Sequence, residues 1–205
     1  MSAASSDSLQ YSEDQRDCLQ EICNVAVGQV GDTLARKLGV FVTLPIPAIN
    51  IIKAEQLSQS LKSFSSSAGI YAASQLFTSR QDGSELSGLA LVMLSEDSLS
   101  DLKELMPELA NTDALITETC CNMAQTCLDA LSEHWGLGFQ SEAPKLVRHE
   151  SLKVVCESVV SSWKNILVVE INYHLEGRAF NGDLLLLFPD QAIEAMAQRL
   201  DELLA

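Results

Sequence analysis

The 205-residue sequence predicts an α/β fold of the α+β type, a duplicated unit with a pseudo-two-fold axis, an antiparallel or mixed sheet and two long exposed helices. Two observations lead to this prediction. A long helix, extended segments, a strand hairpin and a shorter helix follow one another in the first half, and this order recurs in the second. The segments "SGLALVMLSEDSL" and "NGDLLLLFPDQAI" also share a glycine, an apolar strand and a polar helix start, with Gly88 and Gly182 lying 94 residues apart.

The domain organisation follows from the same pattern. Residues 1–11, rich in serine, are predicted to form a disordered tail. Residues 12–205 are predicted to form a single domain of two repeats, covering about residues 12–106 and 107–205. Strands that are linked by hairpins favour an antiparallel or mixed sheet over a doubly wound parallel sheet.

The first repeat begins with a long amphipathic helix. Ser12 and Gln15 form a capping box that starts the helix near Glu13, and Gly39 ends it. The remaining predicted elements are the extended segment "FVTLPIPAINII", a short helix "KAEQLSQSLK", a strand "AGIYAASQLF", a turn "TSRQDGSE", a strand "LSGLALVML" and a serine-capped helix "SEDSLSDLKELM" closed by Pro107.

The second repeat follows the same order. Its long helix is predicted from about Leu109 to Trp135, with Gly136 as the stop signal. The segment "ESLKVVCESV" fits either a strand or a short helix. The other predicted elements are the extended segment "APKLVRHE", the strand "NILVVEINYHLE", the turn "GRAFNGD", the strand "DLLLLF" and the helix "PDQAIEAMAQRLDELL".

Composition and charge argue against several functions. A net charge of −15 is unsuited to binding nucleic acid or anionic membranes, which require basic surfaces. The N-terminus lacks the features of a signal peptide and no apolar run reaches the length of a membrane span, so we expect a cytoplasmic protein without membrane insertion. The six cysteines form no CxxC pair, which favours reduced, packed thiols over disulfides or a metal site.

The first long helix carries an unusual polar face. At about 100° per residue, Asp17, Glu21, Asn24, Gly28 and Gly31 fall within one narrow stripe opposite the apolar face. Glycine inside a helix costs about 1 kcal/mol relative to alanine, so two of them on this stripe favour a track that another protein approaches closely. A plain solvated polar surface is the alternative. The apolar face consists of Leu19, Ile22, Cys23, Ala26, Val30 and Leu34.

The spacing of this stripe resembles a known motif. Asp17 is followed after three residues by Glu21, after two more by Asn24 and after twenty-two more by Pro47. This pattern is similar to that of the CheC, CheX and FliY family of chemotaxis response-regulator phosphatases, and the chain looks most like stand-alone CheC. The flanking "EICNVAVGQVGDTLA" also resembles the family's helix, with Cys23 where glycine is usual. The resemblance covers the chain from about Ser12 to its end.

The resemblance implies a substrate and a division of roles. The substrate is the aspartyl phosphate of a CheY-like receiver protein; Asn24 orients the attacking water and Glu21 pairs with a receiver lysine. Asp17 is a lesser motif member, and Pro47 shapes the strand behind the helix. No cofactor of its own is expected, since the receiver supplies Mg²⁺. Members of this family can be modulated by the deamidase CheD, and no residue here argues for or against that partner.

The second long helix carries a weaker version of the motif. Glu118 and Asn122 share one face, yet three residues separate them instead of two, and Ala114 stands where Asp or Ser is expected. The interval from Asn122 to Pro144 is twenty-one residues. We therefore expect a degenerate second site, with a plain polar helix surface as the alternative.

Two further functional alternatives remain open at the level of sequence. The chain could be a non-catalytic module that binds a response regulator or is similar to a flagellar switch protein. It could also dephosphorylate a response regulator outside chemotaxis, because the motif recognises the general receiver site. In the family that the chain resembles, CheX-like members dimerise and CheC-like members are commonly monomeric, so by this resemblance the full-length duplication favours a monomer.

Overall fold

The computed structural model describes residues 10–57, 69–81, 84–109, 111–147 and 162–205. The elements within these ranges form two successive sets of the same order. They are α1 (Glu13–Leu38), β1 (Val42–Thr43), β2 (Ala48–Lys53), β3 (Ile70–Gln81), β4 (Ser84–Ser95), α2 (Glu96–Leu105), α3 (Thr112–Trp135), β5 (Phe139–Ser141), β6 (Lys145–Val147), β7 (Asn165–Leu175), β8 (Asn181–Pro189) and α4 (Asp190–Leu204).

The ends of α1 lie where the sequence predicts them. The Ser12 side-chain oxygen accepts a hydrogen bond from the backbone N–H of Gln15, and the Ser12 N–H donates to the Gln15 side chain at 2.8 Å. At the other end, Gly39 adopts a left-handed conformation with φ of 67°. Both predicted helix signals are therefore confirmed.

The second long helix begins later than predicted. It starts at Thr112 rather than near Leu109, because Asn111 accepts a hydrogen bond from the Asp113 N–H at 2.8 Å and caps the helix. Its predicted end is confirmed, since Gly136 is left-handed with φ of 65°.

The strand predictions also need two corrections. Both predicted hairpin turns are too long: β3 continues to Gln81 and β4 already begins at Ser84 within "TSRQDGSE", and β8 already begins at Asn181 within "GRAFNGD". The short strand β5 was not predicted, and it pairs with β3. The segment "ESLKVVCESV" and most of "KAEQLSQSLK" lie outside the described residues, although residues 54–57 are helical.

The described strands form one eight-stranded sheet in which every pairing is antiparallel. Its order is β1-β7-β8-β4-β3-β5, with β2 also paired to β7 and β6 to β3. Short strands of each repeat therefore pair with the long strand of the other. At the centre Leu91 pairs with Leu185, and these residues are 94 residues apart, like Gly88 and Gly182. A pseudo-two-fold axis through this pair explains the repeated order of elements.

The helices cover one face of the sheet and enclose the main core. This core contains the buried sides of α1 and α3, which pack against each other, together with Trp135, Tyr173 and Phe188. A smaller apolar cluster, which includes Leu57 and Leu187, covers the opposite face. Because a pseudo-two-fold axis relates α1 and α3, the two helices run antiparallel.

The N-terminal segment before α1 is anchored at Tyr11. Its ring is buried, and its hydroxyl donates to the Ile193 carbonyl at 3.2 Å. Tyr11 belongs to the stretch predicted as a tail, of which residues 1–9 lie outside the described part. Among the described helices, none is long and apolar enough to cross a membrane.

Candidate functional site

The two faces of α1 are sorted as the sequence predicts. The apolar side is buried in the main core, whereas Asp17, Glu21 and Asn24 are exposed. Glu21 and Asn24 are three positions apart along the helix, so their side chains are neighbours one turn apart. The buried residues are Leu19, Ile22, Cys23, Ala26, Val30 and Leu34.

Cys23 packs as a small apolar residue. Burial raises the pKa of its thiol to about 12, so the side chain stays neutral at ordinary pH. All five described cysteines are free thiols, and Cys156 lies outside the described residues. Across the described ranges, no group of three or more His, Cys, Asp or Glu side chains could hold a metal ion.

Asn24 is held by a neighbour that the sequence motif does not include. Gln20, one turn earlier on α1, donates through Nε2 to the Asn24 Oδ1 at 3.4 Å and to the Pro47 carbonyl at 3.1 Å. The sequence signal for this contact is the spacing of four between two amide side chains on one helix. Gln20 is not one of the fixed motif positions, so the motif did not predict it.

The path of the chain explains why Pro47 reaches this place. From Asn24, α1 rises about 21 Å over fourteen residues to its end at Leu38. The seven steps of extended chain from Val40 to Pro47 return by about 23 Å. Pro47 therefore comes back level with Gln20 and Asn24, where it is buried. The twenty-two residues between Asn24 and Pro47 are thus the length of chain needed to reach the end of α1 and come back alongside it.

The two glycines of the stripe have different surroundings. A Cβ added at Gly28 would meet nothing within 4 Å, which agrees with an open track. Gly31, however, is buried, and a Cβ there would lie 2.3 Å from Cδ2 of Leu44. The expectation that Gly31 leaves room for a partner is therefore wrong. Its missing side chain makes room for the returning segment of the same chain.

This returning segment presents apolar side chains to solvent. Phe41, Leu44 and Ile46 are 78%, 57% and 86% exposed. Because Leu44 lies over Gly31 and Pro47 bonds to Gln20, the segment runs alongside the stripe and borders it. The polar face of α1 therefore has an apolar margin on one side.

The second site has a different arrangement. Asn122 donates to Glu118 at 3.4 Å, and Lys37 from the end of α1 donates to the same carboxylate. This hydrogen bond from Lys37 holds the pKa of Glu118 below its ordinary value. Glu118 is therefore already paired with a cation of its own chain. No described residue forms an ion pair with Glu21.

The repeat register explains the irregular spacing of the second motif. Aligning the two helix stops, Gly39 and Gly136, sets an offset of 97 residues, which also aligns Glu21 with Glu118 and Pro47 with Pro144. The residue equivalent to Asn24 is then Cys121, and Asn122 lies one position later. The second helix keeps the acid and the proline but has no amide at the equivalent position.

The same register identifies the counterpart of Lys37. It is His134, which the offset of 97 residues makes the equivalent of Lys37. No ion pair between His134 and Glu21 occurs in the structure, whereas Lys37 reaches Glu118. The two repeats therefore differ in whether the acid of the motif is neutralised from within the chain.

Comparison with known proteins identifies the fold. No family model and no curated protein matches the sequence. FliY of Thermotoga maritima is similar in structure, with a TM-score of 0.61 and 16% identity over 93% of this chain and 98% of that chain. A putative chemotaxis protein from Desulfovibrio vulgaris Hildenborough has a TM-score of 0.51 and 12% identity, over 82% of this chain and 96% of that one.

A flagellar protein shares the same fold. FliM from H. pylori, in a FliG–FliM complex, has a TM-score of 0.58 and 10% identity over 91% of this chain and 99% of that chain. The chain thus has the duplicated α/β fold that FliY and FliM share. At these identities the similarity shows the fold alone.

Proposed function

We propose that the protein acts in chemotaxis signalling as a phosphatase that hydrolyses the aspartyl phosphate of a CheY-like receiver domain. The observation that carries this proposal is the pair Glu21 and Asn24, exposed one turn apart on α1, with the carboxylate free of ion pairs to any described residue. A carboxylate that is to bind a cation of another protein must be unpaired in its own chain. The fold shared with FliY supports the proposal.

The proposed reaction demands little of this chain. In phosphoryl transfer, catalysis consists mainly of positioning and charge stabilisation. An amide can accept one hydrogen bond from a water molecule and donate another, which fixes the direction of the water's lone pair. Asn24 would thereby hold a water in line with the phosphorus–oxygen bond to the receiver's aspartate. Attack breaks that bond and leaves inorganic phosphate and a free carboxylate.

Glu21 would fix the register of docking. A receiver carries a lysine beside its phosphorylated aspartate, and a charge-assisted hydrogen bond to Glu21 would place Asn24 over the phosphoryl group. The receiver also supplies Mg²⁺, which neutralises phosphate charge. No nucleophile, shifted acid or metal of this chain is needed for the step.

The decisive experiment measures the lifetime of the acyl phosphate on candidate receivers. Asn24→Ala should lower the turnover number by about 10²- to 10³-fold, which is the effect of removing one well-placed polar group at other active sites. Asn122→Ala is the matched control on the second helix and should change turnover less than about twofold. Full activity of Asn24→Ala would exclude the proposed role of this amide.

Glu21→Ala tests docking separately. Because Glu21 is proposed to bind the receiver rather than the water, its loss should raise KM and leave turnover at saturation within about threefold. An unchanged affinity for a phosphorylated receiver would contradict this role.

A second candidate function is a binding module without catalysis. FliM shares the fold and is found in a complex with FliG, so this architecture also serves as a structural partner. The two functions are distinguished by the same assay. A module of this kind would bind a receiver without shortening the lifetime of its acyl phosphate.

A further inference from the structure

We propose that Gln20 is a positioning residue that orients Asn24 by anchoring it to the backbone carbonyl of Pro47. This inference rests on the proposed phosphatase function for its consequence in catalysis, whereas the anchoring itself can be measured without any substrate. It adds a third side chain to the site and gives the proline of the motif a specific task.

The geometry uses both hydrogens of one amide. The Nε2 group of Gln20 donates to the Pro47 carbonyl at 3.1 Å and to the Asn24 Oδ1 at 3.4 Å. One hydrogen is available for each acceptor, so the two bonds do not compete. The side chain of Gln20 is half-buried where α1 meets the returning segment, whereas the side chain of Asn24 is exposed.

The Pro47 carbonyl is well suited to serve as the fixed point. The ladder of β2 with β7 begins at Ala48, opposite Glu170, so the Pro47 carbonyl lies just outside it and needs another donor. The proline ring fixes φ near −65°, and the residue is buried. A carbonyl held in this way transmits little motion to Gln20.

The anchor restricts a side chain that would otherwise be mobile. An exposed asparagine on a helix samples several rotamers, and ordering it during the reaction costs conformational entropy. With one lone pair of Oδ1 occupied by Gln20, the second lone pair and the Nδ2 group remain for a water molecule. The anchor therefore selects the orientation in which the amide presents both groups outward.

The kinetic test replaces Gln20 by leucine, which has a similar size and cannot donate. Gln20→Leu should lower turnover about tenfold and leave KM for the phosphorylated receiver within about twofold, because the misplaced amide affects the chemical step rather than docking. Gln29→Leu is the matched control, since Gln29 is exposed on the same helix. An about tenfold rise of KM in Gln20→Leu with unchanged turnover would contradict the positioning role.

The spectroscopic test needs no substrate. Three-bond NMR couplings to Cγ of Asn24 report its χ1 rotamer; they should indicate one rotamer in the wild type and in Gln29→Leu, and averaging in Gln20→Leu. A single unchanged rotamer in Gln20→Leu would refute the anchor. If no receiver is dephosphorylated by the wild type, the proposed function fails, and the couplings still decide whether Gln20 holds Asn24.

A double-mutant cycle tests the link to Pro47. Pro47→Ala keeps the carbonyl but loosens it, and should lower turnover about threefold in the wild-type background. In the Gln20→Leu background the same substitution should have no further effect on turnover, since its only route to Asn24 is gone. Additive losses would show that Pro47 acts independently of Gln20 and would contradict the proposed chain of contacts.

Discussion

Replacing each glycine of the α1 stripe by alanine should change stability by different amounts. Alanine is preferred over glycine inside a helix by about 1 kcal/mol. At Gly28 nothing lies within 4 Å of the added Cβ, so Gly28→Ala should gain this amount in full. For a chain of this length, the melting temperature should rise by about 2–4 °C.

Gly31→Ala gains the same helix preference but meets the returning segment. The added Cβ would lie 2.3 Å from Cδ2 of Leu44 and 3.8 Å from Cγ1 of Val42. Overpacking of a closed core costs about 1–3 kcal/mol; here the cost should be about 1 kcal/mol, because Cδ2 is the far end of a leucine side chain that is 57% exposed and can turn away. This cost offsets the helix preference, so Gly31→Ala should be about as stable as the wild type and less stable than Gly28→Ala by about 1 kcal/mol.

Urea unfolding measures both variants, and a constant m value shows that the midpoint shift reflects stability. The decisive comparison adds Leu44→Ala. In that background the clash is absent, so Gly31→Ala should become stabilising by about 1 kcal/mol. If Gly31→Ala is as stable as Gly28→Ala with Leu44 in place, the returning segment does not lie over α1 and the assignment of Gly31 is refuted.

Three further predictions concern docking. His134→Lys should pair with Glu21 from within the chain and raise KM about two- to fivefold at low salt, the worth of an exposed ion pair, with turnover unchanged; a KM that does not move would contradict the repeat register. Lys37→Met removes the lysine of α1 that pairs with Glu118 of the second repeat, and should leave KM and turnover of the Asn24 site unchanged. Ile46→Ser removes an apolar side chain from the margin beside the stripe and should raise KM for the receiver. Leu204→Ser makes the same kind of change at the exposed C-terminus and should leave KM unchanged; equal KM values for the two variants would exclude a contact between the margin and the receiver.

The sequence predicted the α1 faces well because a helix has a fixed period. Leu19 and Val30 had to share a side with the other apolar residues, and that side had to be buried. Gly31 was misplaced for the same reason. A helical wheel assigns it to the polar face, within about 20° of Asn24, and holds no information on which segment of the chain later covers that face.

Hydrogen bonds between residues far apart in the sequence could not be predicted from helix periodicity either. The link from Gln20 to Pro47 joins residues 27 positions apart, and it depends on where the segment after Gly39 returns along the helix. The pair of Lys37 with Glu118 joins residues 81 positions apart and exists only because α1 and α3 pack antiparallel. In both cases periodicity predicts the element, whereas the tertiary path determines the partner.

The duplication gives two similar helices different capacities through small changes. The first repeat has an amide at the motif position, and its acid, Glu21, forms no ion pair with a described residue; the second has Cys121 at the motif position, and its acid is paired with Lys37. A lysine within the chain is present at a fixed, high local concentration, so it occupies Glu118 ahead of any lysine of a partner. Docking at the second helix would first have to break that pair, and the helix would still lack an amide at the position of Asn24. The pairing of Glu118 and the missing amide act in the same direction, because an amide beside an acid that does not bind a receiver would have no phosphoryl group to act on.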